Sequence, residues 1–185
     1  VRAGQSVAVV GLGGVGLSSV LGALASGASP VVAVDLSEDK LALARSLGAV
    51  RTVNAGDADA VEQVRALTGG GADFVVEMAG SVRALEAGWK MTRRGGTTVT
   101  AGLPPPEAAL AVNVVQLVAE ERTLKGSYIG TCVPSRDIPR YVALFREGRL
   151  PVDRLLSGTI PLEEINAAFD QLAEGRAVRT VVTFP

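Results

Sequence analysis

Ser6-Val-Ala-Val-Val10 runs into Gly11-Leu-Gly-Gly-Val-Gly16 and then into Leu17-Ser-Ser-Val-Leu-Gly-Ala-Leu-Ala25. Five strand-forming residues meet a glycine-rich turn, and the turn opens into a run with helical spacing. Strand, turn and helix in that order are the context a dinucleotide fingerprint requires. Gly11 permits the tight turn, Gly13 lets backbone approach a pyrophosphate, and Gly16 lets the helix pack closely on the strand. Leu12, Gly14 and Val15 complete the loop, and the unpaired N–H groups of the first helical turn face the phosphates. A glycine-rich turn also serves plain packing, so a second signal is needed.

That signal is Pro30-Val-Val-Ala-Val-Asp35, an apolar strand ending in an acid nineteen positions beyond Gly16. A carboxylate at the tip of the second strand accepts hydrogen bonds from the adenosine ribose and repels a 2′-phosphate. The expected cofactor is NAD rather than NADP. The competing reading of Asp35 is a cap for the helix that starts near Ser37.

Beyond this unit the alternation continues. Helices are expected over Glu38 to Leu47, Ala58 to Leu67 and Val82 to Met91, the last with Trp89 on its apolar side. Strands are expected at Arg51 to Asn54, Ala72 to Met78 and Gly96 to Ala101. Strands alternating with helices at this spacing predict a parallel α/β sheet, doubly wound in the Rossmann manner. Ligands bind such sheets at the carboxyl ends of the strands. That rule places Gly11 to Gly16, Asp35, Ala79-Gly80 and Ala101-Gly-Leu103 along one rim. After Pro104-Pro-Pro106 the reading is a short strand at Leu110 to Val112, a helix from an Asn113 cap to Ala119, and a last sheet strand over Arg122 to Ile129. From Thr131 the texture changes. Helical periodicity at Pro134 to Arg146 and Leu162 to Ala173, then a β-branched run at Val178 to Thr183, does not fit another βαβ turn. It reads as a segment that packs elsewhere.

At 185 residues the chain can bury about 70% of its unfolded surface. Its 48% hydrophobic and 20% charged residues are those of a globular protein. A net charge of −1 with scattered charges offers no footprint for nucleic acid or a membrane surface. Cys132 is the single cysteine, which forbids an intrachain disulfide and suits a reducing, cytoplasmic setting. With no histidine, this chain alone lacks the usual zinc ligands and any Ser-His or Cys-His nucleophile. No stretch has the length of a bilayer span, and no signal-peptide pattern opens the chain. Val1, in place of an initiator methionine, reads as the start of a piece of a longer chain.

Several stretches together resemble the zinc-dependent medium-chain alcohol dehydrogenases. They are Gly11-Leu-Gly-Gly-Val-Gly-Leu-Ser18, Ala33-Val-Asp-Leu-Ser-Glu-Asp-Lys-Leu41, Ser46-Leu-Gly-Ala49, and the ending Ile160-Pro-Leu-Glu-Glu-Ile-Asn-Ala-Ala-Phe-Asp170 through Arg179-Thr-Val-Val-Thr-Phe184. The likeness covers essentially the whole chain. It implies an NAD-binding Rossmann domain over 1–130, and over 131–185 a segment belonging to the family's GroES-like catalytic domain. It implies that Lys40 touches the adenosine ribose and that Arg179 reaches the pyrophosphate. Ala101, Gly102 and Leu103 would present backbone to the nicotinamide carboxamide, with Ile129 near the same group and Val15 against the ring. Without the resemblance, Lys40 is an ordinary helix lysine, Arg179 a charge at a strand edge, and Val15 core. The family's zinc ligands and proton-relay residues precede the fingerprint, in a part this sequence does not contain. Cys132 matches none of them and reads as a small buried residue. No catalytic or metal-ligating residue is therefore assigned, and zinc is expected only outside these residues. The implied reaction is hydride transfer between an alcohol–aldehyde pair and NAD in a dimer or tetramer, with no turnover by this chain alone. Three other readings are kept. They are a zinc-free NADPH-type quinone or enoyl reductase of the same superfamily, a non-catalytic NAD(H)-binding module, and, ranked lowest, a methyltransferase.

Overall fold

The computed structural model describes residues 1–48 and 51–184. Ala49, the last residue of the Ser46-Leu-Gly-Ala49 stretch, lies outside them. The first half alternates strictly. Strand β1 (Val7–Val10) leads to α1 (Gly14–Ala25), β2 (Val31–Asp35) to α2 (Glu38–Ser46), β3 (Arg51–Asn54) to α3 (Ala60–Leu67), and β4 (Ala72–Glu77) to α4 (Val82–Met91). Then come β5 (Thr92–Thr100), α5 (Val114–Ala119) and β6 (Thr123–Gly126). These six strands form one parallel sheet in the order β3-β2-β1-β4-β5-β6. The order reverses beside β1, and that is where a doubly wound sheet opens its crevice.

Period-two alternation sorts the sheet's side chains onto two faces. Val7, Val9, Val31 and Ala33 pack with Leu17, Val20 and Leu21 of α1 and Leu41 and Ala44 of α2. Ala8, Val10, Val32, Val34 and Val53 pack on the other face with Ala60 and Val64 of α3 and Met91 of α4. Short polar caps start the helices. The Ser37 hydroxyl accepts from the Lys40 N–H, the Ser81 hydroxyl from Ala84, and the Asn113 side chain from Gln116.

Past β6 the chain forms α6 (Pro134–Arg146), β7 (Gly158–Pro161), α7 (Ile165–Ala173) and β8 (Thr180–Thr183), with β7 and β8 paired in a small parallel sheet. Part of this segment packs on the large sheet's own helices. Leu150 and Leu155 are buried in the α1–α2 cluster, Leu144 and Val178 pack against it, and the Arg154 guanidinium donates to the Ser46 carbonyl at 2.7 Å. The rest is open, with Phe169, Leu172 and Phe184 exposed. At the start of α6 the buried Asp137 accepts from the Val133 N–H at 2.9 Å and from Arg136 at 2.7 and 2.8 Å. The hydrogen bonds from Arg136, then from Val133, hold its carboxyl well below the usual carboxylate range.

Several expectations differ from the structure. The strand expected from Gly96 begins at Thr92, directly after α4. Leu110–Val112 carries no regular structure. The last sheet strand stops at Gly126, because Ile129, Gly130 and Thr131 turn away with φ of +54°, +63° and +58°. Ile129 is β-branched, and a positive φ is sterically costly there. Cys132 is half-buried rather than buried, and its thiol is pushed up by burial and by the Asp137 carboxylate beside it. Among the described residues no helix is long and apolar enough to cross a membrane.

Candidate functional site

The site is built where four strand ends, those of β1, β2, β4 and β5, meet. Gly11 sits at φ +88°, and a Cβ on it would fall 2.6 Å from the Ala79 nitrogen, so the fingerprint turn lies directly on the loop after β4. A Cβ on Gly16 would stand 1.8 Å from the Gly11 carbonyl oxygen. Only hydrogen fits at either position. Gly13, by contrast, is exposed and has nothing within 4 Å of an added Cβ. Its freedom of space lies outward, where a ligand would approach. Leu12 is fully buried between these glycines, while Val15 projects into solvent from the first turn of α1.

Asp35 latches this turn. The Leu12 N–H donates to one carboxylate oxygen at 2.6 Å, and the Ser37 N–H donates to the other at 2.9 Å. The helix cap that was the competing reading is supplied by Ser37 itself. Each carboxylate oxygen has a second acceptor site, so the latch and a ligand hydroxyl are compatible.

Arg179 comes to the same place from the far end of the chain. Its guanidinium and the Val178 carbonyl each lie 3.2 Å from where a Cβ on Gly14 would project, beside the N-terminus of α1. Ser157 holds the approach, donating its N–H to the Arg179 carbonyl at 2.7 Å and accepting from the Val178 N–H at 2.8 Å. Lys40 is half-buried with its ammonium 3.3 Å from the Cβ position of Gly175. The C-terminal strap thus crosses over both α1 and α2.

Ala101, Gly102 and Leu103 follow β5 on the same rim. A Cβ on Gly102 would meet Gly80 backbone at 2.3 Å, and one on Gly80 would meet the Leu103 nitrogen at 3.2 Å. The fingerprint, the Ala79-Gly80 loop and the Ala101–Leu103 loop therefore nest in series. Leu103 itself is 84% exposed, and Ile129 is exposed at the turn beyond β6.

Two features of the site have little or no signature in the sequence. A cavity of about 300 Å³ opens between the ends of β1, β2, β3 and β4, lined by Asp35, Leu36, Ala55, Asp57, Val61 and Arg83 among others. Its lining comes from the segments that follow four separate strands, and the one signal in the sequence is the run of small residues at Ala55-Gly-Asp-Ala58. The second is Glu77, a fully buried carboxylate at the end of β4. Among the described residues no group of three or more His, Cys, Asp or Glu side chains is placed to hold a metal ion.

A glycine turn at the switch point, an acid at the end of the neighbouring strand and a cation over the helix N-terminus define a nucleotide-binding α/β domain. The chain belongs to the zinc-binding dehydrogenase family, whose profile matches residues 14–147. It is 36% identical over 184 residues to alcohol dehydrogenase 1 of Pisum sativum and 37% identical over the same length to that of Trifolium repens, covering 98% of this chain and 48% of each relative. The chain spans about half the length of the curated relatives it matches. Among solved structures it superposes with a TM-score of 0.96 on an alcohol dehydrogenase zinc-binding domain protein of Burkholderia ambifaria, at 36% identity over all of this chain and 50% of that one. Benzyl alcohol dehydrogenase of Acinetobacter calcoaceticus matches with a TM-score of 0.96 and 31% identity, over all of this chain and 51% of that one.

Proposed function

We propose that this chain is the NAD-binding portion of an alcohol dehydrogenase of the zinc-dependent medium-chain type. Residues 1–130 form the dinucleotide domain, and 131–185 belong with the catalytic domain. The observation that carries the reading is Arg179. A guanidinium delivered from the far end of the chain to the Gly14 end of α1 supplies a fork for phosphate where the helix already presents unpaired N–H groups.

Gly11, Leu12, Gly13, Gly14 and Gly16 cradle the pyrophosphate and adjoining nicotinamide ribose, with Arg179 over it, and Val15 lies against the nicotinamide ring. Asp35 and Lys40 take the adenosine ribose, and the 300 Å³ cavity takes the adenine. Ala101, Gly102, Leu103 and Ile129 fix the carboxamide and so the ring face. When bound, the nicotinamide supplies the acceptor for hydride from the alcohol. This chain contributes orientation and distance; zinc and the proton relay belong to residues outside it. The zinc-free NADPH reductase is disfavoured by Asp35, because a 2′-phosphate would meet its carboxylate. A non-catalytic NAD(H)-binding module would share every residue named here and differ only in lacking the catalytic partner domain.

The test is titration with NADH and NADPH, followed by reduced-nicotinamide emission, on the native chain and on Asp35→Gly. The expected result is tighter NADH binding in the native chain. In Asp35→Gly the preference is lost and both ligands weaken, since the latch on Leu12 is lost as well. Preference of the native chain for NADPH would overturn the cofactor assignment.

A further inference from the structure

Glu77 is 1% exposed, and a carboxylate is rarely buried to that extent without a partner for every oxygen. Here the partners are specific. Oε1 accepts from the N–H groups of Ala79 and Gly80, both at 2.7 Å, and Oε2 accepts from the Thr100 hydroxyl at 2.7 Å. Its own carbonyl accepts from the Ala101 N–H at 3.1 Å, and Oε2 lies 3.2 Å from the Cβ position of Gly102. One side chain therefore ties the loop after β4 to the end of β5. Those two loops touch backbone to backbone at Gly80 and Gly102, and Ala79 in turn supports Gly11. Asp35 plays the corresponding part on the other side of β1, holding Leu12 and Ser37. The two carboxylates divide the rim, Asp35 on the β2 side and Glu77 on the β5 side.

We propose that Glu77 is a positioning residue for the nicotinamide half of the dinucleotide site: it sets the Ala79-Gly80 and Ala101–Leu103 loops so that the latter's backbone meets the carboxamide, without touching the cofactor itself. The proposal rests on the dinucleotide reading above. It predicts that Glu77 governs one half of the ligand and not the other. A carboxylate that merely stabilised the fold would affect both halves together.

The experiment compares NADH with ADP-ribose, which carries the adenosine, pyrophosphate and ribose but no nicotinamide, by calorimetric titration of the 185-residue chain. In the native chain NADH binds more tightly than ADP-ribose. Glu77→Ala leaves the Ala79 and Gly80 N–H groups and the Thr100 hydroxyl without their shared acceptor and frees both loops, which lowers NADH affinity by about tenfold or more while ADP-ribose affinity stays within about twofold. Glu77→Gln restores the NADH advantage, because the amide oxygen accepts from Ala79 and Gly80 and the amide N–H donates to Thr100. Equal losses for both ligands in Glu77→Ala, no loss, or failure of Gln to rescue would each overturn the proposal. If Glu77→Ala shows no cooperative thermal melt, Thr100→Val decides: a narrowed NADH advantage supports the proposal, an unchanged one overturns it. A native chain that binds ADP-ribose but gains nothing from the nicotinamide defeats this proposal alone. One that binds neither ligand defeats the dinucleotide reading and the proposal with it.

Discussion

Gly13 and Gly16 are both glycines of one turn, yet the space around them is opposite. Gly16 is packed so that a methyl group would stand 1.8 Å from the Gly11 carbonyl, whereas Gly13 faces open space with an ordinary negative φ of −71°. Gly16→Ala must push backbone against backbone, and about 3 kcal/mol of stability should be lost, visible as a lowered midpoint in urea unfolding. Gly13→Ala should change stability by less than about 0.5 kcal/mol but weaken NADH binding, because its methyl group enters the space a pyrophosphate needs. A Gly13→Ala chain that melted early, or bound NADH normally, would contradict the assignment. The three-glycine spacing was legible in sequence, as was Asp35. That the Asp35 carboxylate latches Leu12 was not, because the bond joins residues twenty-three positions apart.

The elements show a similar division. α4 runs over Val82–Met91 and β3 over Arg51–Asn54 as the periodicity indicates, and Pro134–Arg146 forms α6. β7 carries no strand signal in Gly158-Thr-Ile-Pro161; its pairing with β8 makes it a strand. Trp89 shows what periodicity omits. It was expected on an apolar face and is buried, but the Arg122 guanidinium lies 5.2 Å from its ring centroid and pairs with Glu120 at 2.6 Å. α6 carries a pH prediction. Asp137 has a depressed carboxyl pKa in the folded chain, so the unfolded chain binds its proton more readily. Its contribution is then fully present above the unfolded value of about 3.9 and is lost as pH falls below it. Thermal melts between about pH 6 and pH 3 should show a steeper loss in the native chain than in Asp137→Asn. Parallel curves would remove Asp137 from the account of acid sensitivity.

At the scale of the molecule, one sheet edge is bare. Every residue of β6 is exposed, as are the apolar Val114, Val115 and Val118 of α5 before it and Tyr128 and Ile129 after it. An unpaired strand edge with apolar neighbours calls for cover. A second copy pairing through β6, Thr123–Gly126 of the expected Arg122–Ile129 edge, is the predicted arrangement, and sedimentation should give a dimer or larger species. Replacing Leu124 in β6 by proline should shift it toward monomer, since proline removes a ladder donor; a native monomer at high micromolar concentration would contradict the pairing. The small β7–β8 sheet with α7 leaves a second apolar groove of about 310 Å³ lined by Ile160, Phe169 and Leu172, consistent with the proposal that 131–185 belongs with a further domain. Its other end is anchored, since Leu150 and Leu155 are buried under α1.

Local order is what the sequence by itself determined. Short apolar, β-branched runs became strands, helices began at Ser37, Ser81 and Asn113, and three glycines marked the turn, because each of these depends on neighbours within a few positions. The tertiary structure alone decided which distant groups share a site. Arg179 reaches Gly14 and Lys40 reaches Gly175 only once the C-terminal strap has crossed the sheet. Glu77 is indistinguishable from any strand-end acid until Ala79, Gly80 and Thr100 close around it. Burial and hydrogen bonding are properties of the assembled packing, and no spacing along the chain encodes them directly.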